Sequence, residues 1–222
     1  ELFTGWMLLS YRKPATASST LQGHGVGNAF DEDMKTYWSS KSGKDEWLQT
    51  DLGTLKKVYA IQINFADQDA TCKGVVKQRG HRYRIVVSDD GKSWRNIVDK
   101  SSSVSDTPHD YIELEKPVEA RYIRLENIEV PYGKFAVSGF RVFGLGKGKT
   151  PSPVRDFRVE RDGKDRREAT MRWALQPDAT GYVIKYGAEP GKLYHNFIVY
   201  GEQQLRTFLL NTVSLFIFNS CI

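Results

Sequence analysis

Oxygen-bearing side chains are concentrated in the turn-rich run NAFDEDMKT, which covers residues 28–36. Asp31, Asp33 and Thr36 bring two carboxylates and a hydroxyl close together along the chain. Ca²⁺ prefers about six to eight oxygen ligands of this kind. The run is therefore a candidate loop for a hard cation. The alternative is that Asp31 and Asp33 only accept hydrogen bonds within their own turn.

His24 is a second candidate, in the loop LQGHGVG that covers residues 21–27. Its three glycines leave the backbone free to adopt positive φ and to approach a ligand closely. A histidine between glycines is poorly suited to burial on a helix face. His24 is therefore either a ligand contact or an exposed loop residue.

The sequence contains no G-x-S-x-G, H-E-x-x-H or P-loop motif. Glycoside hydrolysis needs two carboxyl groups that face each other across a cleft. The chain has many acids, but its strand pattern offers no domain that would frame such a cleft. The sequence therefore predicts a chain without catalytic activity of its own.

Charge and hydropathy exclude two further classes of partner. The net charge of +5 comes from Lys and Arg that are spread among Asp and Glu, and Arg166 and Arg167 lie in a predicted turn. This pattern indicates a charged surface and no nucleic-acid partner.

No run of about 18 apolar residues exists to span a bilayer. The chain starts at Glu1 without the features of a signal peptide, so we expect it to be a piece of a longer protein.

Cys72 and Cys221 are the two cysteines, and they fall in different predicted domains. Their separation gives no metal-binding spacing, and it favours two free thiols over a disulfide.

Alternating and apolar runs predict a succession of short strands with hardly any helix. In the first part of the chain they cover residues 47–53, 57–65, 81–88, 111–114, 120–127 and 135–144. Asp90-Gly91 predicts a hairpin turn, and residues 66–80 form an unusually long loop. An antiparallel jelly-roll sandwich is the expected outcome. Trp38, Trp47 and Trp94 are assigned to its core.

Three motifs follow one another along the chain. They are the run of residues 28–53, the series Y-x-I-x-x-S-x-D-G-x-x-W from Tyr83 to Trp94, and the strand ARYIRLEN at residues 120–127. Together they resemble the discoidin or coagulation factor 5/8 C-type domain, the fold that also forms family 32 of the carbohydrate-binding modules. The resemblance implies a jelly-roll (galactose-binding-like) β-sandwich over residues 13–146. It departs from the animal members, in which a terminal cysteine pair closes the domain.

The resemblance also implies a structural Ca²⁺ that ties the first loop to the last strand. By position, its ligands would be the Asn28 carbonyl, Asp31, Asp33, Thr36 and Ser138. Gly139 stands where the family often has Glu, so the predicted site is incomplete.

The implied topology gathers the long loops at one end of the sandwich, which suits a glycan. Sugars need an apolar ring face and planar polar groups. The predicted contacts are His24, Asp67, Asp69, Arg79, Tyr132 and Lys134, with Tyr132 as the aromatic. The first loop offers only Leu21 and Val26 as apolar side chains, so no membrane insertion of the kind seen in animal members is expected.

The flanking segments suggest the wider architecture. Residues 1–12 are predicted to be a strap from a preceding domain, because TGWMLLSY followed by KPATASS resembles the junction after the catalytic domain of bacterial family 43 glycoside hydrolases. Residues 147–153 are a Gly-, Lys- and Pro-rich linker. Residues 154–222 resemble a fibronectin type III or immunoglobulin-like β-sandwich that lacks its last strand. The residues that carry this resemblance are Trp173, Tyr182 and Tyr186.

The sequence thus predicts an all-β, non-catalytic carbohydrate-binding accessory module of a secreted bacterial glycoside hydrolase of the xylosidase or arabinosidase kind. Its partners would be a polysaccharide and the preceding catalytic domain, and the family implies an extracytoplasmic location. The alternative is a structural spacer or an adhesion module that binds no sugar.

Overall fold

The computed structural model describes residues 6–70, 80–145, 152–165, 168–179, 181–187, 195–200, 205–209 and 214–218. The chain divides into two compact units, Glu1–Lys147 and Gly148–Ile222. The described residues form strands and one short 3₁₀ helix, Val26–Ala29. The all-β expectation is therefore confirmed.

The first unit contains eight strands. They are β1 Met7–Leu8, β2 Ala15–Ala17, β3 Trp38–Ser39, β4 Trp47–Phe65, β5 Arg82–Ser88, β6 Arg95–Asp99, β7 His109–Glu129 and β8 Ala136–Leu145. The main path of the sheet runs β1-β8-β4-β7-β5-β6, with β2 on β4 and β3 on β8. Every pair is antiparallel. Met7 pairs with Gly144, so the segment before residue 13 forms an edge of this sheet.

The two longest strands, β4 and β7, carry register shifts where the sequence predicts turns. The predicted strand end at Gly53 is wrong: β4 continues through it, with Gly53 at φ +84°. The predicted strands 111–114 and 120–127 are likewise parts of the single strand β7. A bulge absorbs extra residues and bends a strand without ending its pairing. One sheet can therefore curl around a single core.

That core includes Trp38, which is fully buried against the edge of the Phe135 ring. The expectation that Trp47 and Trp94 share this core is wrong. Both are only half-buried, and both rings stack on the Arg124 guanidinium, at 4.5 and 3.9 Å. Leu48 and Leu52, at the alternate positions of β4, are buried instead.

The turn after β5 is held by one carboxylate. Asp90 accepts hydrogen bonds from the backbone N–H groups of Ser93 and Lys92 and from the Ser88 hydroxyl. These bonds to the charged form hold the pKa of Asp90 well below its ordinary value. The predicted hairpin signal at residues 90–91 therefore acts through the side chain of Asp90 as well as through Gly91, whose φ is +74°.

The second unit contains six strands: β9 Arg155–Arg161, β10 Glu168–Ala174, β11 Gly181–Gly187, β12 His195–Tyr200, β13 Leu205–Leu209 and β14 Ser214–Phe218. They form two three-stranded sheets, ordered β13-β10-β9 and β12-β11-β14. Trp173 and Tyr182 pack with ring centroids 5.4 Å apart in a buried cluster, and the Tyr182 hydroxyl accepts from the Gln176 N–H. In the parts of the chain that the structure describes, no helix has the length and apolar character needed to cross a membrane.

Candidate functional site

Loops from distant parts of the first unit meet in a continuous set of side chains, which we call the polar chain: His24, Tyr37, Gln68, Asp69 and Lys134. The His24 and Tyr37 rings stack with centroids 4.2 Å apart. The Tyr37 hydroxyl donates to Gln68 Oε1 at 2.7 Å, and Gln68 Nε2 donates to Asp69 Oδ1 at 2.8 Å. Asp69 also pairs with the Lys134 ammonium. Three separate loops are thereby joined through their side chains.

Backbone contacts hold two of these loops together. The Lys134 N–H donates to the Gln68 carbonyl at 2.9 Å. Gly133 lies beside this contact at φ +67°, and a Cβ there would overlap the Gln68 carbonyl oxygen. Asp69 itself has φ +55°. Glycine is required at 133 both by the left-handed backbone and by the close approach of the neighbouring loop.

The charges within the polar chain are matched. The hydrogen bond from Lys134, followed by that from Gln68, lowers the pKa of the Asp69 carboxyl. Asp69 therefore stays ionised at neutral pH and orients the Lys134 ammonium. Both side chains keep solvent access, with 57% of Asp69 and 27% of Lys134 exposed. Donors and acceptors are thus held in place where a soluble ligand can reach them.

A cavity of about 270 Å³ adjoins the polar chain. Lys134 is common to both, and Asp67 and Tyr132 also line the cavity. The other lining residues are Phe65, Ala66, His81, Asp106, Pro108, His109, Val130, Pro131 and Ala136. Charged side chains and two imidazole rings line the cavity together with apolar side chains, so it offers hydrogen-bonding partners to a polar ligand.

His81 forms one wall of this cavity. Its ring stacks on Phe65 with centroids 3.9 Å apart. Nδ1 lies 3.0 Å from a carboxylate oxygen of Asp106. Burial lowers the pKa of His81, against the opposing effects of the Asp106, Asp67 and Asp110 carboxylates. At neutral pH the ring is therefore uncharged.

We expect His81 to make the stability of the first unit depend on pH. Its folded pKa lies below the unfolded value of about 6.5, so the unfolded chain binds more protons as the pH falls. Stability is then fully present above about pH 7 and declines as the pH drops toward the folded pKa. The measurement is Tm against pH from 7.5 to 5. His81→Phe keeps the stacked ring, and it should flatten the decline; an unchanged slope would contradict this assignment.

The residues of the predicted cation loop hydrogen-bond to one another. Asp31 accepts from the Asp33 N–H at 2.9 Å and from the Thr36 hydroxyl at 2.7 Å, and Asp33 accepts from the Lys35 N–H at 2.9 Å. The Asn28 amide donates to the Tyr37 carbonyl, and Ser138 donates to the Asn64 carbonyl. Asp31 and Asp33 thus accept hydrogen bonds within their own turn, as the alternative to a cation site expects, and the Ca²⁺ site stays a prediction. Among the described residues, no three His, Cys, Asp or Glu side chains form a metal cluster.

The predicted glycan contacts divide into two groups. His24, Asp69 and Lys134 belong to the polar chain, whereas Asp67 and Tyr132 line the adjoining cavity. Arg79 lies outside the described residues. Their roles in binding stay predictions.

Sequence reasoning missed Tyr37 and Gln68, which connect the polar chain. For Tyr37 a signal existed: it precedes the buried Trp38 in an extended segment, so its side chain must point away from the core. Nothing in the local sequence distinguishes Gln68 from its neighbours.

Ring and polar side chains of one β-sandwich meet here at a partly open loop surface, an arrangement typical of a binding module. Residues 14–138 match the model of the F5/8 type C domain family, and this match covers more than half of the 222 residues. The chain belongs to the F5/8 type C domain family. The jelly-roll expectation for this part of the chain is thereby confirmed.

One curated relative is lactadherin from Rattus norvegicus, 33% identical over 95 residues. The match covers 40% of this chain, and the chain spans about a fifth (21%) of lactadherin.

Solved structures give the same fold. Chitosan-binding module 1 of a chitosanase/glucanase from Paenibacillus sp. IK-5 is 27% identical, covers 62% of this chain and 99% of its own, and has a TM-score of 0.51. The family 32 carbohydrate-binding module of Clostridium perfringens NanJ, solved with galactose, is 16% identical, covers 62% and 98%, and has a TM-score of 0.52. The NanJ module supports the fold alone.

Proposed function

We propose that the first unit is a non-catalytic carbohydrate-binding module, with its site at the polar chain and the adjoining cavity. The observation that carries this proposal is the joining of three loops by His24, Tyr37, Gln68, Asp69 and Lys134 on a rigid β-sandwich. A preformed set of donors and acceptors loses little side-chain freedom on binding. Hydroxyl groups of a sugar are the natural partners of such a set.

Each part of the site has a chemical task in this proposal. Lys134 and His24 donate to sugar hydroxyls, and Asp67 and Asp69 accept from them. Tyr132, which is half-buried at the cavity, contacts the apolar face of a sugar ring. Because the cavity is small and partly open, we expect Kd values on the order of micromolar to millimolar.

An amino sugar is the ligand class to test first. The Asp67 and Asp106 carboxylates line the cavity, while the Lys134 ammonium is paired with Asp69. A protonated sugar amine would complement these carboxylates. The 27% identity to a chitosan-binding module supports the same choice.

The test is a glycan array probed with the whole 222-residue chain, with chitosan oligosaccharides included, alongside pelleting with liposomes. Binding to one class of glycan without co-pelleting with liposomes is the expected result. Co-pelleting with no glycan bound would favour adhesion instead. No binding in either assay would favour the spacer function.

Tyr132→Ala is expected to weaken binding to the glycan found on the array by at least about tenfold, which corresponds to roughly 1.4 kcal/mol of lost ring contact. Tyr122→Ala is the matched control, because Tyr122 is also half-buried but belongs to neither the polar chain nor the cavity. Titration calorimetry measures both Kd values. Equal losses in the two variants would contradict a site at Tyr132.

The wider setting belongs to the same proposal. The junction-like sequence at the start of the chain supports an accessory role beside a family 43 glycoside hydrolase, in a secreted or cell-surface protein. The paired three-stranded sheets of the second unit are compatible with a fibronectin type III-like module. Recovery of the complete gene and a xylosidase or arabinosidase assay of its product would test this assignment.

A further inference from the structure

Arg141, on β8, holds its guanidinium group against the acidic turn of residues 31–36. Its Nε lies 2.8 and 2.9 Å from the two carboxylate oxygens of Glu32. The pair is well shielded, with 15% of the Arg141 and 24% of the Glu32 side chain exposed. Glu32 adopts φ +61°, a left-handed conformation that is uncommon for a residue with a Cβ. The turn is thus shaped to present a carboxylate to Arg141.

The same guanidinium faces the end of β4. With the Asn64 amide turned so that its oxygen faces the guanidinium, Arg141 Nη1 donates to that oxygen at 2.5 Å. Asn64 pairs with Gly139 in the β4–β8 register, and the Ser138 hydroxyl donates to the Asn64 carbonyl. Arg141 therefore joins the acidic turn, the end of β4 and the closing strand β8.

Gly139 leaves the space that this arrangement needs. A Cβ at position 139 would lie 2.8 Å from Nη1 and 3.1 Å from Cζ of Arg141. Position 139 is where the family resemblance places a glutamate ligand for Ca²⁺. In this chain the side chain is missing there, and a cationic group lies directly beside it. A divalent cation and a guanidinium in the same small site would repel each other.

We propose that Arg141 supplies the positive charge that a structural Ca²⁺ was predicted to supply, so that the first loop is tied to the last strand without a metal ion. The guanidinium contacts the turn through Glu32, while Asp31 and Asp33 serve as caps within it. Folding of the first unit then does not depend on Ca²⁺.

The direct test is thermal unfolding of the whole chain in 5 mM CaCl₂ and in 5 mM EDTA, with calorimetric titration of Ca²⁺. We expect Tm values that agree within about 1 °C and no saturable heat of binding below millimolar Ca²⁺. A Tm that rises by several degrees with Ca²⁺, together with a saturable isotherm, would overturn the proposal.

Arg141→Ala is expected to lower Tm by roughly 5–10 °C, because it leaves the shielded Glu32 carboxylate without its partner. Arg141→Lys keeps the charge but loses the Nε–H that donates to both Glu32 oxygens, so its Tm should lie between those of the wild type and Arg141→Ala. Arg121→Ala is the matched control. Arg121 also makes two 2.8 Å hydrogen bonds to one carboxylate, that of Asp51, but 39% of its side chain is exposed. We expect a smaller loss there, and an equal loss would contradict a special role for Arg141.

A gain of metal binding tests the same idea in the opposite direction. The double variant Gly139→Glu with Arg141→Ala removes the guanidinium and adds a carboxylate in the space it occupied. We expect its Tm to rise by several degrees on addition of Ca²⁺, while the wild type does not respond. If the double variant fails to fold, the Ca²⁺ titration of the wild type and the Tm of Arg141→Lys still decide the question.

Discussion

Gly133→Ala is expected to weaken glycan binding about 10- to 100-fold while the sandwich remains folded. The new Cβ would overlap the Gln68 carbonyl oxygen, and it would also lie 2.9 Å from the Ala70 nitrogen. These are backbone atoms, so they cannot move aside by a change of rotamer. The φ of +67° adds about 1 kcal/mol of strain for alanine. The two loops must therefore separate.

Separation of the loops would break the Lys134 N–H to Gln68 carbonyl bond and displace Lys134 from Asp69. Tyr132, next to position 133, would move with them. The binding groups would then lose their common orientation, which costs affinity even though each side chain is still present. Circular dichroism and Tm should show that the core strands are retained.

Gly53→Ala is the matched control for this prediction. Gly53 has φ +84°, but a Cβ there would meet no atom within 4 Å. The variant therefore reproduces the backbone strain of Gly133→Ala without the collision. Titration calorimetry of both variants with the same glycan is the measurement. Wild-type affinity in Gly133→Ala, or an equal loss in Gly53→Ala, would show that the contact between the loops does not position the site.

Trp38→Ala is expected to lower the free energy of unfolding of the first unit by about 4 kcal/mol. Trp38 is fully buried, and its ring meets the edge of Phe135 with centroids 5.2 Å apart. Its Nε1 donates to the Thr20 hydroxyl at 3.3 Å. Alanine would leave a cavity in the core of the first unit, and the pairing of β3 with β8 limits how far its walls can collapse.

The two half-buried tryptophans provide the controls. Trp47→Ala and Trp94→Ala each remove one face of the stack around Arg124, for which about 1 kcal/mol is expected. Urea unfolding, followed by circular dichroism, measures the free energy of unfolding of all three variants. The comparison requires that their m-values agree. Equal losses at positions 38 and 47 would place Trp47 in the core after all.

The difference in burial between Trp38 and Trp47 shows that alternation within a strand predicts which side chains face the core. Trp47 and Leu52 are five residues apart, an odd number, so a regular strand cannot direct both toward the core. The sequence assignment of Trp47 to the core rests on its large apolar ring. The structure buries Leu48 and Leu52, and it places Trp47 beside Arg124 on the other face. Alternation along the strand, and not the size of the apolar side chain, decides which of these residues faces the core.

The long strands show a different limit. Gly53 and the break between residues 114 and 120 carry turn signals, and turn signals are local. Whether the chain turns back or continues through a bulge depends on the partner strand, and β4 and β7 pair on both sides of their irregular positions. A bulge and a turn use similar residues, so only the pairing separates them.

The sequence by itself determined the strand-rich class, the family, the loops that carry His24, Asp69 and Lys134, and the hairpin at Asp90. All of these depend on residue types and spacings within a few positions. The tertiary structure alone decided that Tyr37 and Gln68 connect those loops, and that Arg141 reaches Glu32 from 109 residues away. The reason is that the register between distant strands sets which loops meet, and register is a property of the whole sheet.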